Sequence, residues 1–287
     1  MEMGVKKQMD RAGTLFPKLP LAQWVESFVD FLTNSLSVVF DTITAVLEFI
    51  TENFVLLLEF VPPLLLIVLI ALLAWWVVNW KLGLFALIGL GLINNLGYWP
   101  ETIETIALVL VSVVISMVVG IPIGIWMSQK GAVQAIITPI LDFMQTMPAF
   151  VYLIPAVVFF SLGMVPGVVA TIIFSMPPTV RLTNLGIRQV DQELIEASNA
   201  FGSSTGQRLG KVQIPLAMPT IMAGINQTIM LSLSMVVIAS MVGAPGLGTV
   251  VYRAVTQVAI GPGFEGGLSL VILAMLLDRI TQGANKN

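Results

Sequence analysis

Long stretches without a single charged residue constrain this chain more than any other feature. No Asp, Glu, Lys, Arg or His falls in 105–129, 143–180 or 212–252, and a shorter uncharged gap opens at Phe60 and closes before Lys81. A helix needs about 20 mostly apolar residues to cross a bilayer core. The gap at Phe60 therefore holds one span, and the stretch from Lys81 to Glu101 holds a second, shorter one. Thr105 to Gln129 is a third. The gap from Phe143 to Val180 holds two, broken near Gly163-Met164-Val165-Pro166-Gly167. Val212 to Tyr252 holds one span and then the turn Gly243-Ala244-Pro245-Gly246-Leu247-Gly248. A last span starts near Gly263 or Gly266 and ends at Asp278-Arg279. The pattern predicts an all-α, polytopic transmembrane bundle of about seven spans.

Composition excludes the main alternatives. Charged residues make up 10% of the chain, against roughly 25% in a soluble domain, and 57% of residues are hydrophobic. With neither cysteine nor histidine present, there is no disulfide, no thiolate or imidazole metal site and no His-dependent triad. The net charge of −3 gives no reason to expect nucleic acid. Met1 to Leu19 has no apolar run of the kind a signal peptide requires.

Residues 24–54 follow another rule. Ser27, Asp30, Asn34, Ser37, Asp41, Thr44 and Glu48 recur every three or four positions among Phe, Val, Leu and Ile. This is an amphipathic helix with a narrow polar stripe, either lying in the membrane interface or packing as an extra peripheral span. The expected division is an N-terminal segment, 1–55, and a transmembrane domain, 56–287.

Basic residues in short loops set orientation. Arg181, Arg188, Arg208 and Lys211 put the 181–211 loop in the cytoplasm. Counting outward puts Lys81, Lys130 and Lys286 on the same side, and Tyr98 to Glu101 and 243–248 on the other. If Lys6, Lys7, Arg11 and Lys18 are also inside, residues 24–54 cross once. Trp75, Trp76, Trp80, Tyr98 and Trp99 fall near span ends, where aromatic residues anchor a helix to the interface.

The one long charged loop carries the most information. Asp191 and Glu193 suit the positive end of a helix dipole. Leu194, Ile195, Ala197, Ala200 and Phe201 give an apolar face, and Gly202 can take the left-handed conformation that stops a helix. A second short helix, roughly Ser204 to Lys211, follows before Pro215 resets the chain. A plain connector between bundle helices runs about 2–8 residues, so this loop is built either as an ordinary folded loop or as a docking element for a cytoplasmic partner.

Glu196-Ala197-Ser198, then Gly202, then Val212-x-Ile214-Pro215 resembles the EAA signature of ABC importer permeases, EAA-x3-G-x9-I-x-L-P, with Ser198, Val212 and Ile214 as conservative departures. The resemblance implies a type I importer permease whose 190–215 segment couples to an ATPase. Glu196, Ala197, Ser198, Gly202, Ser203, Ser204, Thr205, Arg208 and Pro215 are the residues it assigns to that coupling. Leu141 to Tyr152, Phe174 to Pro178 and Met241 to Gly248 are similar to permeases of glycine betaine/proline betaine importers, a likeness running from about 60 to 280. It implies a multi-pass protein of the bacterial cell membrane, paired with a second copy of itself, two ATPase subunits and an external substrate-binding protein. No cofactor is expected in this chain, since ATP and Mg would sit on the ATPase.

Several prolines, Pro139, Pro148, Pro155, Pro166, Pro177 and Pro178, fall in or beside spans. Each removes a backbone donor, and in lipid the freed carbonyl needs a neighbour or water. The kinks serve either packing or a pathway, and Gln145, Thr146, Met147 and Pro148 are the candidates for pathway lining. Gly120-x3-Gly124 permits close helix approach. Gly210-Lys211 is not a P-loop, because Thr205 stands where a glycine is required and Val212 replaces the Ser/Thr. Ion-coupled carriers usually keep an ionisable group near the midplane; a stand-alone secondary carrier is the alternative reading.

Overall fold

The computed structural model describes residues 19–284, and every described element is helical. Lys6, Lys7, Arg11, Lys18 and Lys286, on which part of the orientation argument rests, lie outside the described residues, as does nearly all of the Met1–Leu19 stretch. The N-terminal amphipathic segment forms two helices, α1 (Leu21–Ser35) and α2 (Ser37–Glu59). The break falls at Leu36 within Asn34-Ser35-Leu36-Ser37, where polar side chains compete for the helix backbone. The second helix runs through residue 55 without interruption. Its Phe40 stacks on Phe159 with centroids 4.4 Å apart and meets Phe160 edge-on, so this segment is docked on the bundle.

A hairpin follows, α3 (Pro63–Val77) and α4 (Trp80–Asn95). Pro62 and Pro63 turn the chain by 100° from α2. The two helices approach through Gly83, where an added Cβ would lie 2.9 Å from Ala71 O. At about 1.5 Å per residue each is only some 23 Å long, short of a 30 Å hydrocarbon core.

The bundle proper is α5 (Trp99–Gln129), α8 (Met164–Arg188), α11 (Ile214–Ser240) and α13 (Ile260–Ala284), the four helices long and apolar enough to span. Between them lie α6 (Gly131–Thr146) and α7 (Ala149–Phe160), bent by 102° at Met147-Pro148. Among the described residues the span count is thus four, or up to six with each bent pair taken as one crossing, rather than about seven. The short α3 and α4 account for part of the difference, and proline for the rest. The residue before a proline is pushed out of the α region; Met147 has ψ 136°, and α7 is left with 12 residues. The last helix also begins earlier than expected, at Ile260, because Pro262 falls in its first turn, where no helix hydrogen bond is lost.

α8 packs between α5 and α11 through small residues. A Cβ at Gly124 would sit 2.6 Å from Val180 O and from Thr183 Cβ. One at Gly224 would meet Pro178 O at 3.0 Å, and one at Gly186 would meet Thr220 Cβ at 2.9 Å. The Gly120/Gly124 pair is therefore a packing device, as its spacing suggests. Pro177 and Pro178 lie inside α8 without breaking it. The turn after α11 is held by glycines at φ +88° and +119°, Gly243 and Gly246. It leads into a short helix that hydropathy does not reveal, α12 (Leu247–Gln257), whose first amide, Leu247 N–H, donates to Thr105 Oγ1 at 2.8 Å. Nearby, the Tyr98 hydroxyl donates to Glu265 at 2.9 Å. Burial, that bond, and the charges of Glu265 and Glu101 hold the phenol above the usual tyrosine range.

Candidate functional site

The 190–215 segment forms a knuckle that braces itself. Asp191 is the N-cap of α9 (Gln192–Ala200) and Glu193 lies in its first turn, where negative charge offsets the exposed amides. The Asp191 side chain makes no capping bond. The helix stops as its sequence requires. Gly202, at φ +74°, donates its N–H to Asn199 O at 2.9 Å, and Ser203 N–H reaches back to Ser198 O at 3.1 Å. Those two bonds define a Schellman stop, and Ser203 Oγ adds a third to Ser198 O at 2.7 Å.

A capping box starts the next helix, α10 (Thr205–Arg208): Ser204 Oγ accepts from Gln207 N–H, and the Gln207 side chain accepts from Ser204 N–H. Arg208 then donates to Asn199 Oδ1 at 3.0 Å and clamps α10 to α9. Gln192 Nε2 donates to Glu196 at 3.4 Å on the outer face. Six of the nine assigned residues, Ser198, Gly202, Ser203, Ser204, Thr205 and Arg208, thus build this structure; the side chains of Glu196 and Ala197 are exposed on its surface.

Pro215 does not reset the chain. It lies in the first turn of α11, and Thr205 to Ser240 is one continuous 36-residue helix. A π turn, Leu209–Gln213, absorbs the strain: Ile214 N–H donates five residues back to Leu209 O. Such a turn tolerates the donor that proline removes.

Neither α9 nor α10 has a buried residue. Phe201 is 92% exposed and Leu194 is exposed beside it. These apolar side chains are held out on a hydrogen-bonded scaffold, clear of their own core, as a docking surface requires. The knuckle is continuous with α8 on one side and α11 on the other, so a push on it reaches the two most closely packed helices of the bundle.

Gln145, Thr146, Met147 and Pro148 form the corner between α6 and α7. Gln145, Thr146 and Pro148 are exposed, while Met147 packs towards Tyr152, Met235 and Ile238. The Tyr152 hydroxyl donates to Met144 O across the bend. Thr146 Oγ1 bonds to its own helix at Phe143 O, 3.3 Å away. The corner and the knuckle are separate places, linked through α8: Asp142 pairs with Arg181, and Arg188 donates to Gln134. Sequence reasoning missed the Thr105–Leu247 clasp and the face of α11 described below.

Comparison with known proteins agrees with this geometry. Residues 120–286 match the family model described as binding-protein-dependent transport system inner membrane component. The chain is 58% identical over 274 residues to the glycine betaine transport system permease protein OpuAB of Bacillus subtilis, covering 96% of each chain. It is 46% identical to the glycine betaine/proline betaine transport system permease protein ProW of Escherichia coli, over 94% of this chain and 76% of that one. Among solved structures it resembles the permease fold in inward facing MetNI, a methionine ABC transporter. There the TM-score is 0.55 at 22% identity, over 64% of this chain and 90% of that one.

Proposed function

Because the chain belongs to the family of binding-protein-dependent transport system inner membrane components, the permeases of ABC importers in the bacterial cell membrane, we propose that its cargo is glycine betaine or a related quaternary ammonium osmoprotectant. The names and identities of OpuAB, GbuB of Listeria monocytogenes (54% identical) and ProW support that cargo. Two copies of the chain pair with two ATPase subunits and take solute from an external binding protein. ATP and Mg belong to the ATPase, and this chain does no hydrolysis of its own.

The observation that carries the mechanism is the self-braced knuckle at 191–208, whose two helices bury no residue and which runs into α8 on one side and α11 on the other. Glu196, Ala197, Ser198, Gly202, Ser203, Ser204, Thr205 and Arg208 present and stiffen it, and Pro215 lies where it joins the span. ATP binding draws the ATPase halves together, the knuckle moves with them, and α8 and α11 re-aim the passage between the two membrane faces. Gln145, Thr146, Met147 and Pro148, at the proline corner, border that passage.

The test is reconstitution in liposomes with the ATPase and binding protein, measuring glycine betaine uptake and ATP hydrolysis together. Uptake that needs ATP and binding protein, and that fails in G202V while the complex stays assembled, is the expected result. Uptake under an ion gradient without ATP would instead favour the stand-alone carrier.

A further inference from the structure

α11 carries polar residues on the side that its own bundle does not cover. Its inner face, including Ala217, Ile221, Gly224, Thr228, Met235 and Ala239, is buried. On the opposite side Ala223, Gln227, Met230 and Ser234 are exposed. At 100° per residue these four fall within an arc of about 60°, so they form one stripe. Gln227 stands midway along Ile214–Ser240, with 13 residues on either side, roughly 20 Å from each end. That places it well inside the uncharged stretch 212–252, far from either end of the span. Beside it, Asn226 Oδ1 is buried without a hydrogen-bond partner.

The neighbouring helix α5 shows what a lipid face looks like here. Its hydroxyls, Ser112 and Ser116, are turned inward and buried, while Val114, Val118 and Val119 point out. An amide left against hydrocarbon costs several kcal/mol, so Gln227 does not fit a lipid face.

The geometry points to the Ala223–Gln227–Met230–Ser234 face of α11 as a wall of the solute pathway, with Gln227 as a polar contact for a zwitterionic quaternary ammonium solute within the span. The Gln227 amide donates to the solute carboxylate as it passes. The thioether of Met230, soft and adaptable, borders the methylated ammonium. This deepens the reading of the chain as an osmoprotectant permease and rests on it.

The chain has no cysteine, so labelling of this chain in single-cysteine variants is read on its own band, against the cysteine-free wild type. The assembled permease–ATPase complex in lipid nanodiscs, carrying Q227C, S234C or, on α5, V118C, is treated with a trimethylammonium-bearing methanethiosulfonate. Labelling is followed with and without a non-hydrolysable ATP analogue. Q227C and S234C are expected to react at least tenfold faster than V118C in one nucleotide state, and glycine betaine is expected to slow them. Rates equal to V118C in both states would overturn the inference. So would spontaneous disulfide pairing of two Q227C chains in place of labelling, because the stripe would then be a seam between copies. Q227L should lower uptake at least tenfold with the ATPase still bound, and Q227N should recover part of it; full uptake by Q227L would overturn the role of the amide. A wild-type complex that imports no glycine betaine would count against the cargo, and the labelling pattern is read separately from that.

Discussion

The hydroxyls of Thr179 and Thr228 meet at 2.7 Å between α8 and α11, both wholly buried. Thr228 Oγ1 also lies 2.9 Å from Ser175 O and donates to it. Each hydroxyl has one proton, so Thr179 must then donate to Thr228. The result is a directed relay beside Pro177-Pro178, where α8 has lost two of its own donors. T228V keeps the shape but strands the Thr179 hydroxyl, and we expect it to cost about 1–2 kcal/mol. The T179V/T228V double variant should lose less than the two single losses summed, read as denaturation midpoints in detergent.

Gly124 is a contact that no side chain can replace. Val180 O is backbone and cannot swing aside, so a methyl 2.6 Å from it forces α5 and α8 apart. G124A should destabilise by about 1–3 kcal/mol. G91A, on a helix position with nothing within 4 Å, should be neutral or slightly stabilising through helix propensity. Thermal unfolding of the two variants in the same detergent makes the comparison.

The stop at Gly202 is a matter of backbone, not of space: nothing lies within 4 Å of a Cβ there, yet φ is +74°. A side chain in the left-handed region costs about 1–2 kcal/mol, most when β-branched. G202N should keep coupled transport, G202A should weaken it, and G202V should leave ATP hydrolysis without uptake. The ratio of solute imported to ATP hydrolysed is the readout.

Phe201 contributes nothing to the chain's own core at 92% exposure. F201A should therefore leave thermal stability unchanged while weakening ATPase association by on the order of 2 kcal/mol, roughly thirtyfold, as for a central aromatic anchor in an interface. Titration of the purified ATPase onto the permease in nanodiscs measures it.

The knuckle was legible because its signals are local. An acid at a helix start and a glycine at its stop each act within four or five residues, so spacing alone exposes them. The Gly120/Gly124 pair was legible for the same reason. Pro215 misled because the rule against proline assumes a regular α ladder, whereas here a π turn just before it shifts the bonding by one residue and lets the helix run on. The seven-span count failed where α3 and α4, 15 and 16 residues long, stop short of a hydrocarbon core, and where Pro148 bends an apolar stretch by 102°.

What the amino-acid sequence determined by itself was the solvent and the folded charged segment outside it. Uncharged runs of this length admit only helices that satisfy their own backbone, and the charged 190–215 segment had to stand outside them. The tertiary structure decided which face of each helix meets protein. Hydropathy averages around a helix, so Ser112 and Ser116 on α5 and Gln227 and Ser234 on α11 look alike in sequence. Packing separates them, turning the first pair into the bundle and leaving the second outside it. It also joins Thr105 to Leu247 across 142 residues. Such a contact depends on where two helix ends arrive in space, which no local pattern encodes.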